Sequence, residues 1–257
     1  MLIDAHCHLD FPDFDADRES MFERARAGGV EHFVVPGTTR ERWPGVLALG
    51  RRDDVSVCLG LHPYFMDTHV EGDLDALDQA LAAHCGGTSP RVVAVGECGI
   101  DARLEASLDA QWDYFDAQLR LAKALRLPVV IHCVRANDKV AKRLRQLDLP
   151  AGGLIHAFAG SPEQALRFLD LGFTVGLGGA VTHERAKRLH RAVAALPDDG
   201  YVLETDSPDM PLAGRRGERN EPARITEVAR VVAAHRGQTV EAVAAHSTAT
   251  ARRLFGL

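Results

Sequence analysis

Apolar residues fall into two alternating patterns along the chain. Short, nearly continuous apolar runs of strand length stand at 1–6 (MLIDAH), 31–37 (EHFVVPG), 55–60 (VSVCLG), 91–97 (RVVAVGE), 128–133 (PVVIHC), 153–158 (GLIHAF), 173–178 (FTVGLG) and 201–206 (YVLETD). Between them lie segments such as 108–127, 161–172 and 182–196, in which apolar residues recur every three or four positions, the mark of a helix with one buried face. Ser161, Pro162 and Glu163 make a helix start: a capping hydroxyl, a residue with φ preset for the first turn, and a carboxylate at the positive end of the dipole. Gly28, Gly50 and Gly172 are placed to close helices in the left-handed conformation.

Strands that are apolar throughout, each followed by a helix, belong to a parallel sheet covered on both faces. Eight such units in 257 residues predict an α/β fold of the (β/α)8 TIM-barrel type rather than an open doubly wound sheet. A loop rich in Gly, Pro and Arg (207–222) and an extra C-terminal helical region (221–255) follow the eighth strand. The pattern shows no break, repeat or low-complexity tract, so one domain over 1–257 is expected.

Composition narrows the function classes. Hydrophobic residues make up 46% and charged residues 26%, no apolar stretch approaches the roughly 18 residues of a membrane span, and the N-terminus lacks a leader pattern. A cytoplasmic protein without membrane association or an obligatory protein partner is the expectation. Five cysteines without a CxxC pair argue against a disulfide framework; Cys7, Cys98 and Cys133 each follow a residue with candidate chemistry and are expected to pack on the opposite face. The net charge is −6, so any nucleic acid has to be gripped locally rather than by a basic tail.

A barrel places its chemistry at the C-terminal ends of its strands. Five predicted strands end in first-row metal ligands: His6 and His8 on the first, Glu97 on the fourth, His132 on the fifth, His156 on the sixth and Asp206 on the eighth. A spacing of two puts both imidazoles of the first strand on one face, with Cys7 turned away. Carboxylates and imidazoles converging there without a cation would be costly, so the six predict a metal site. They exceed the needs of one tetrahedral ion, and Glu97 with its two oxygens is suited to bridge a pair. None of the four lysines (Lys123, Lys139, Lys142, Lys187) lies at a strand end, which excludes a lysine-derived bridge.

With these residues in place the chain resembles the TatD family of metal-dependent hydrolases. The matching motifs are IDAHCHLD (3–10), GLHP (60–63), VGECGID (95–101), PVVIH (128–132), HAFAG (156–160), ETDSPDMPL (204–212) and RNEP (219–222). The resemblance implies a barrel holding one or two divalent ions, with His6, His8, Glu97 and Asp206 around one and Glu97, His132 and His156 around the other. It also implies phosphodiester hydrolysis, with members acting as 3′-to-5′ deoxyribonucleases. His62 and the stretch Asn220-Glu221-Pro222 match positions bordering the active site, and Glu204 resembles a carboxylate behind the ligands or beside substrate. The chain departs from the family pattern at Val134, where an arginine is common and Arg135 stands one place on. It departs also at Ala157 and Ala159, in the ARLEAS segment after VGECGID, and at Ser247 or Thr248, where a late asparagine is usual.

The expected function is therefore a divalent-metal-dependent phosphodiesterase, a 3′-to-5′ deoxyribonuclease attacking with a metal-generated hydroxide. Asp206 and Glu97 are its catalytic residues, with Asp206 the general base; His62, Arg135 and Glu204 are the candidates for substrate contact. The ion is Mg²⁺, Mn²⁺, Zn²⁺, Co²⁺ or Fe²⁺, and the substrate a nucleic acid or another phosphoester. Two alternatives stand beside it: a metal-dependent hydrolase of an amide, ester or lactone, and a metal-binding interaction protein without turnover. His183, after the glycine-rich end of the seventh strand, is a further residue able to approach the pocket.

Overall fold

The computed structural model describes residues 1–85 and 90–257. The eight expected strands all form: β1 (Leu2–Asp4), β2 (Val30–Pro36), β3 (Val55–Leu59), β4 (Val92–Asp101), β5 (Val129–Val134), β6 (Gly153–Ile155), β7 (Phe173–Leu177) and β8 (Tyr201–Leu203). They lie side by side in chain order, every ladder pair parallel. The sheet closes where Ala5 N–H donates to Leu203 O at 3.1 Å and Asp206 N–H donates to His6 O at 2.9 Å. The (β/α)8 barrel read from the pattern is thus the observed architecture.

Helices cover the outside: α1 (Arg18–Ala27), α2 (Trp43–Leu49), α3 (Asp73–His84), α4 (Leu108–Leu125), α5 (Asn137–Leu147), α6 (Pro162–Asp170), α7 (Lys187–Ala195), α8 (Ile225–Arg236) and α9 (Val240–Phe255). α6 starts as expected, the Ser161 hydroxyl accepting the Gln164 N–H while the Gln164 side chain accepts the Ser161 N–H. One expectation about helix ends needs correction. Gly28 and Gly50 end their helices with right-handed φ; Gly172 does take positive φ, and Gly29 takes it in place of Gly28. The region 221–255 is two helices, because Gly237 at φ 63° turns the chain and Thr239 caps the next start by accepting the Ala242 N–H.

Two apolar layers follow from this wrapping. One lies between sheet and helices and takes the outward-pointing strand residues, including Cys7 and Cys98, with Cys133 packed partly against it. The other fills the barrel with Ile3, Ala5, Val34, Cys58, Ala94, Val130, Leu154 and Val202, and α9 plugs its lower end with Ala251 and Phe255. Ser247 of α9 accepts the Leu203 N–H at 2.7 Å and Thr248 donates to Met1 O at 3.2 Å. Both therefore serve the join of α9 to the barrel and lie away from any substrate.

The apolar runs overstate β1 and β8. His6 and His8 stand beyond the end of β1, in extended backbone still tied by Cys7 N–H to Val34 O, and Asp206 stands three residues past β8 at φ 56°. β4 runs four residues further than the apolar pattern, to Asp101, through Gly96 and Gly99 at φ 143° and 142°. A Cβ on Gly99 would lie 2.0 Å from His132 O, so only glycine lets β4 and β5 stay paired where their ligands emerge.

Candidate metal centre

Glu97 lies fully buried on the barrel axis, and imidazoles from four strands surround it. Its Oε2 is 3.1 Å from His6 Nε2 and 3.2 Å from His8 Nε2. Those two nitrogens are 3.3 Å apart and lie 3.4 and 3.5 Å from Asp206 Oδ1. A tetrahedral ion bound at about 2.0–2.2 Å separates its ligand atoms by roughly 3.3–3.6 Å, so this quartet has the edge lengths of a coordination shell. The other oxygen, Oε1, lies 3.2 Å from His132 Nδ1 and 2.8 Å from His156 Nε2, themselves 3.2 Å apart.

Both Glu97 oxygens are buried without a hydrogen bond of acceptable geometry. Lone pairs brought together at that distance, yet not aimed along N–H bonds, are what a shared cation leaves in a protein's design. Three sets among the described residues bring ligand atoms within 4.8 Å of one another: His6, His8 and Glu97; His6, His156 and Asp206; His62, Glu97 and His132.

Electrostatics agree with a cation site. Burial opposes ionisation of Glu97, but the imidazoles of His156, His62 and His6 outweigh it and hold the carboxyl well below its usual range. Burial likewise works against protonated His8, while the nearby carboxylates of Asp206 and Glu97 lift it to about 9. A divalent ion competes for the place those protons occupy.

His62 differs from the other imidazoles. It caps a 3-10 turn (Pro63–Phe65) by accepting the Tyr64 N–H on Nδ1 at 3.0 Å, so that nitrogen carries no proton. Its Nε2–H therefore lies 2.7 Å from Glu97 Oε1, though without the alignment of a hydrogen bond. Burial lowers its pKa to about 4, keeping the ring neutral. Its proximity admits it to a ligand group, but its tautomer makes it a hydrogen-bond donor.

Several polar residues hold these groups in place, of which sequence reasoning passed over Asp101, Gln111 and Gln118. Asp101, at the end of β4, faces His132 Nε2 with Oδ2 at 3.2 Å, leaving Nδ1 for the centre. Burial opposes its charge, yet Arg103 and His132 keep its pKa well below the normal range. Helix α4 carries Gln111 and Gln118 on one buried face. Gln118 accepts the Leu61 N–H at 2.8 Å and donates to Leu61 O at 3.0 Å; Gln111 does the same to the Asp101 backbone at 2.8 and 3.2 Å. Two side-chain amides thus replace a peptide partner at the residue before His62 and at Asp101 itself. Asp4 accepts the Thr205 N–H and hydroxyl, and burial raises its carboxyl to about 7. Asn220 donates to Thr205 O and Met210 O, bracing the chain around Asp206.

The residues expected to touch substrate divide. Glu204 is fully buried behind His156: Oε1 accepts the Ala157 N–H, and its carboxylate occupies the space over Gly176, where a Cβ would come within 2.2 Å of Oε2. It thus faces the backbone beneath a ligand and has no path to the mouth, which corrects the expectation of substrate contact. Arg135 is exposed at the end of β5 at φ 53°, three residues past His132. Glu221 pairs with Arg24 on the outside, away from the centre. His183 ends the short turn after β7 and joins none of the ligand groups found among the described residues.

Comparisons with known proteins agree with this geometry. The chain is 40% identical over 244 residues to the uncharacterized metal-dependent hydrolase YjjV of Escherichia coli K12, covering 94% of this chain and 93% of that protein. It is 35% identical over 263 residues to the 3′-5′ ssDNA/RNA exonuclease TatD of a Rahnella species, covering 97% and 96%. The crystal structure of YjjV superposes with a TM-score of 0.95 at 39% identity, covering 100% of this chain and 98% of that one. A TatD-family hydrolase from Entamoeba histolytica, at 18% identity and a TM-score of 0.83, shares the fold. Matched over residues 3–256 by the sequence profile of the TatD related DNases, the chain belongs to that family.

Proposed function

We propose that this protein is a divalent-metal-dependent phosphodiesterase that shortens single-stranded nucleic acid from its 3′ end. The observation that carries the reading is the bridging position of Glu97, one buried carboxylate with His6 and His8 at one oxygen, His132, His156 and the capping His62 at the other, and Asp206 beside the first pair. A relative of near-equal length named as a 3′-5′ exonuclease supports the choice of substrate.

His6, His8, Asp206 and Glu97 Oε2 would hold one ion, and His132, His156 and Glu97 Oε1 a second. Ions bound there supply a water of lowered pKa and draw charge from the scissile phosphoryl oxygen. The protein's own groups do the rest. Asp206 has a side chain 14% exposed against 1% for Glu97, so it is the carboxylate able to take a proton from the attacking water and return it to the leaving oxygen. His62, neutral and presenting Nε2–H, is placed to donate to a phosphoryl oxygen. Arg135 supplies a guanidinium at the mouth for an adjacent phosphate. Cytoplasmic location belongs to the same reading; no helix among the described residues is long and apolar enough to cross a membrane.

The test is incubation of end-labelled single-stranded DNA and RNA with protein loaded with Mg²⁺, Mn²⁺, Co²⁺ or Zn²⁺. Shortening from the 3′ end that is lost in His132→Ala is expected. No shortening with any ion, or equal shortening by the variant, overturns the proposal. Hydrolysis confined to an ester or lactone panel would move the reading to carbonyl chemistry.

A further inference from the structure

Tyr64 is 59% exposed and is the one aromatic among the large hydrophobic side chains left open in the described residues. Its position is fixed by the centre itself, since its N–H is the group that holds His62 Nδ1. Its ring meets Phe65 edge-on at 5.3 Å, Phe65 meets His62 at 5.8 Å, and His62 meets His132 at 4.6 Å. An unbroken line of rings therefore runs from a ligand of the centre to an uncovered aromatic at the rim. Phe65 also borders a cleft of about 230 Å³ whose lining mixes Arg40 and Arg42 with Glu41, Asp73 and His69. Across the mouth, Phe11 stacks on His8 at 4.9 Å with the Arg42 guanidinium 4.5 Å from its ring, so that aromatic is already covered.

We propose that Tyr64 is a stacking platform for the unpaired base of the nucleotide adjoining the scissile phosphate. An exposed ring costs hydration unless something covers it, and every nucleobase has a π-face to offer. The neighbouring Arg103, held by Asp101 at 2.9 Å through Nε, keeps a positive edge on the same rim for the backbone of that nucleotide. A base in a duplex is already stacked and cannot reach the ring, so Tyr64 favours single strands and discriminates weakly among bases. The proposal rests on the nuclease reading and adds to it a binding residue outside the metal centre.

Two assays on the metal-loaded protein separate the two claims. The first measures KM and kcat on a single-stranded oligonucleotide and on one of equal length with abasic sites at the three terminal positions. The second measures anisotropy of the labelled oligonucleotides. Base stacking is worth roughly 5- to 150-fold in binding. Tyr64→Ala is expected to raise KM and the dissociation constant for the base-bearing strand within that range, leaving kcat and the abasic strand nearly unchanged, while Tyr64→Phe retains wild-type values. Equal behaviour of Tyr64→Ala and wild type, equal losses on both strands, or failure of Tyr64→Phe to rescue would overturn it, with the nuclease reading intact. A wild-type protein that neither cleaves nor binds either strand removes the nuclease reading, and this one falls with it.

Discussion

The two ends of the barrel hold similar residue types and put them to opposite uses. At the lower end a cavity of about 550 Å³ is lined by Glu31, His32, Arg52, Asp53, Ser56, Arg91 and Arg252, and it is larger than the cleft of about 230 Å³ beside Phe65 at the other end. Yet Arg252 pairs with Glu31 at 2.6 Å, Arg52 with Glu19 at 2.8 Å, and His32 with Ser56 at 2.9 Å. At the upper end both oxygens of Glu97 are buried without a hydrogen bond, and the Nε2 atoms of His6, His8 and His156 converge on them at 3.1, 3.2 and 2.8 Å. Size marks a void, whereas converging groups that cannot satisfy one another mark a site awaiting a ligand. The lower end is the structural face of the barrel, as position at the N-terminal ends of the strands dictates.

The sharpest way to break this contrast is to swap which end is damaged. Glu97→Gln keeps the volume and removes the bridging charge, so hydrolysis should fall by about a thousandfold or more, the order seen when a centre that activates water is lost. The same change should abolish the rise in melting temperature that added divalent ion gives wild type; an ion at a hundred times its dissociation constant contributes about 2.7 kcal/mol. Arg252→Ala at the other end should leave kcat unchanged. If Arg252→Ala costs activity as Glu97→Gln does, the division of labour between the ends is wrong.

A smaller effect separates support from chemistry. Gln118→Leu is close in volume but strands the Leu61 N–H and C=O, which have no other partner in the loop leading to His62. Two unsatisfied buried groups cost about 2–4 kcal/mol together. Urea unfolding should show the loss, while metal content measured on the purified protein stays at the wild-type ratio. Gly176→Ala acts on the same end by another route, forcing the Glu204 carboxylate out of the space it occupies and releasing the Ala157 N–H behind His156. A weaker affinity for the ion that His132 and His156 would hold, read by competition with a chelator, is the expected outcome; unchanged affinity would show that Glu204 only fills space.

Much of this was legible beforehand, for reasons visible in individual residues. β4 and β5 declared themselves because their runs at 92–95 and 129–131 are apolar on both faces, and the candidate ligands stood out because His6, Glu97, His132, His156 and Asp206 stand where apolar runs stop. Asp101, Gln111 and Gln118 left no such mark. Their partners are single backbone groups or a ring supplied by another segment, and no period in the sequence records a contact between residues 61 and 118. For Glu204 the sequence left two places open, behind the metal site or beside substrate, because alternation gives the face of a strand but not its depth; its full burial over Gly176 puts it behind His156.

The least effect is expected at the outer rim of the upper end, where charges are fully matched. Asp17 at the start of α1 receives Arg219 at 2.7 Å and Arg24 at 2.9 Å, and Arg24 also reaches Glu221 at 2.7 Å, so these pairs tie the loop after β1 to the segment after β8. Hydrogen bonds from Arg219 and then Arg24 hold the Asp17 carboxyl below its usual range. A carboxyl with a depressed folded pKa binds fewer protons folded than unfolded. Its stabilisation is complete above the unfolded pKa of about 3.9 and is lost as pH falls below that value toward the folded one. Asp17 and Arg24 are 34% and 42% exposed, so solvent screening limits the contribution to about 1 kcal/mol or less. Asp17→Asn should therefore be slightly less stable than wild type at pH 7, with the gap narrowing below pH 4 and shrinking in 1 M salt. A gap that persists in salt and acid would mean the rim is held by packing, such as Arg219 over Phe14 at 4.6 Å, and that matched charge there contributes little.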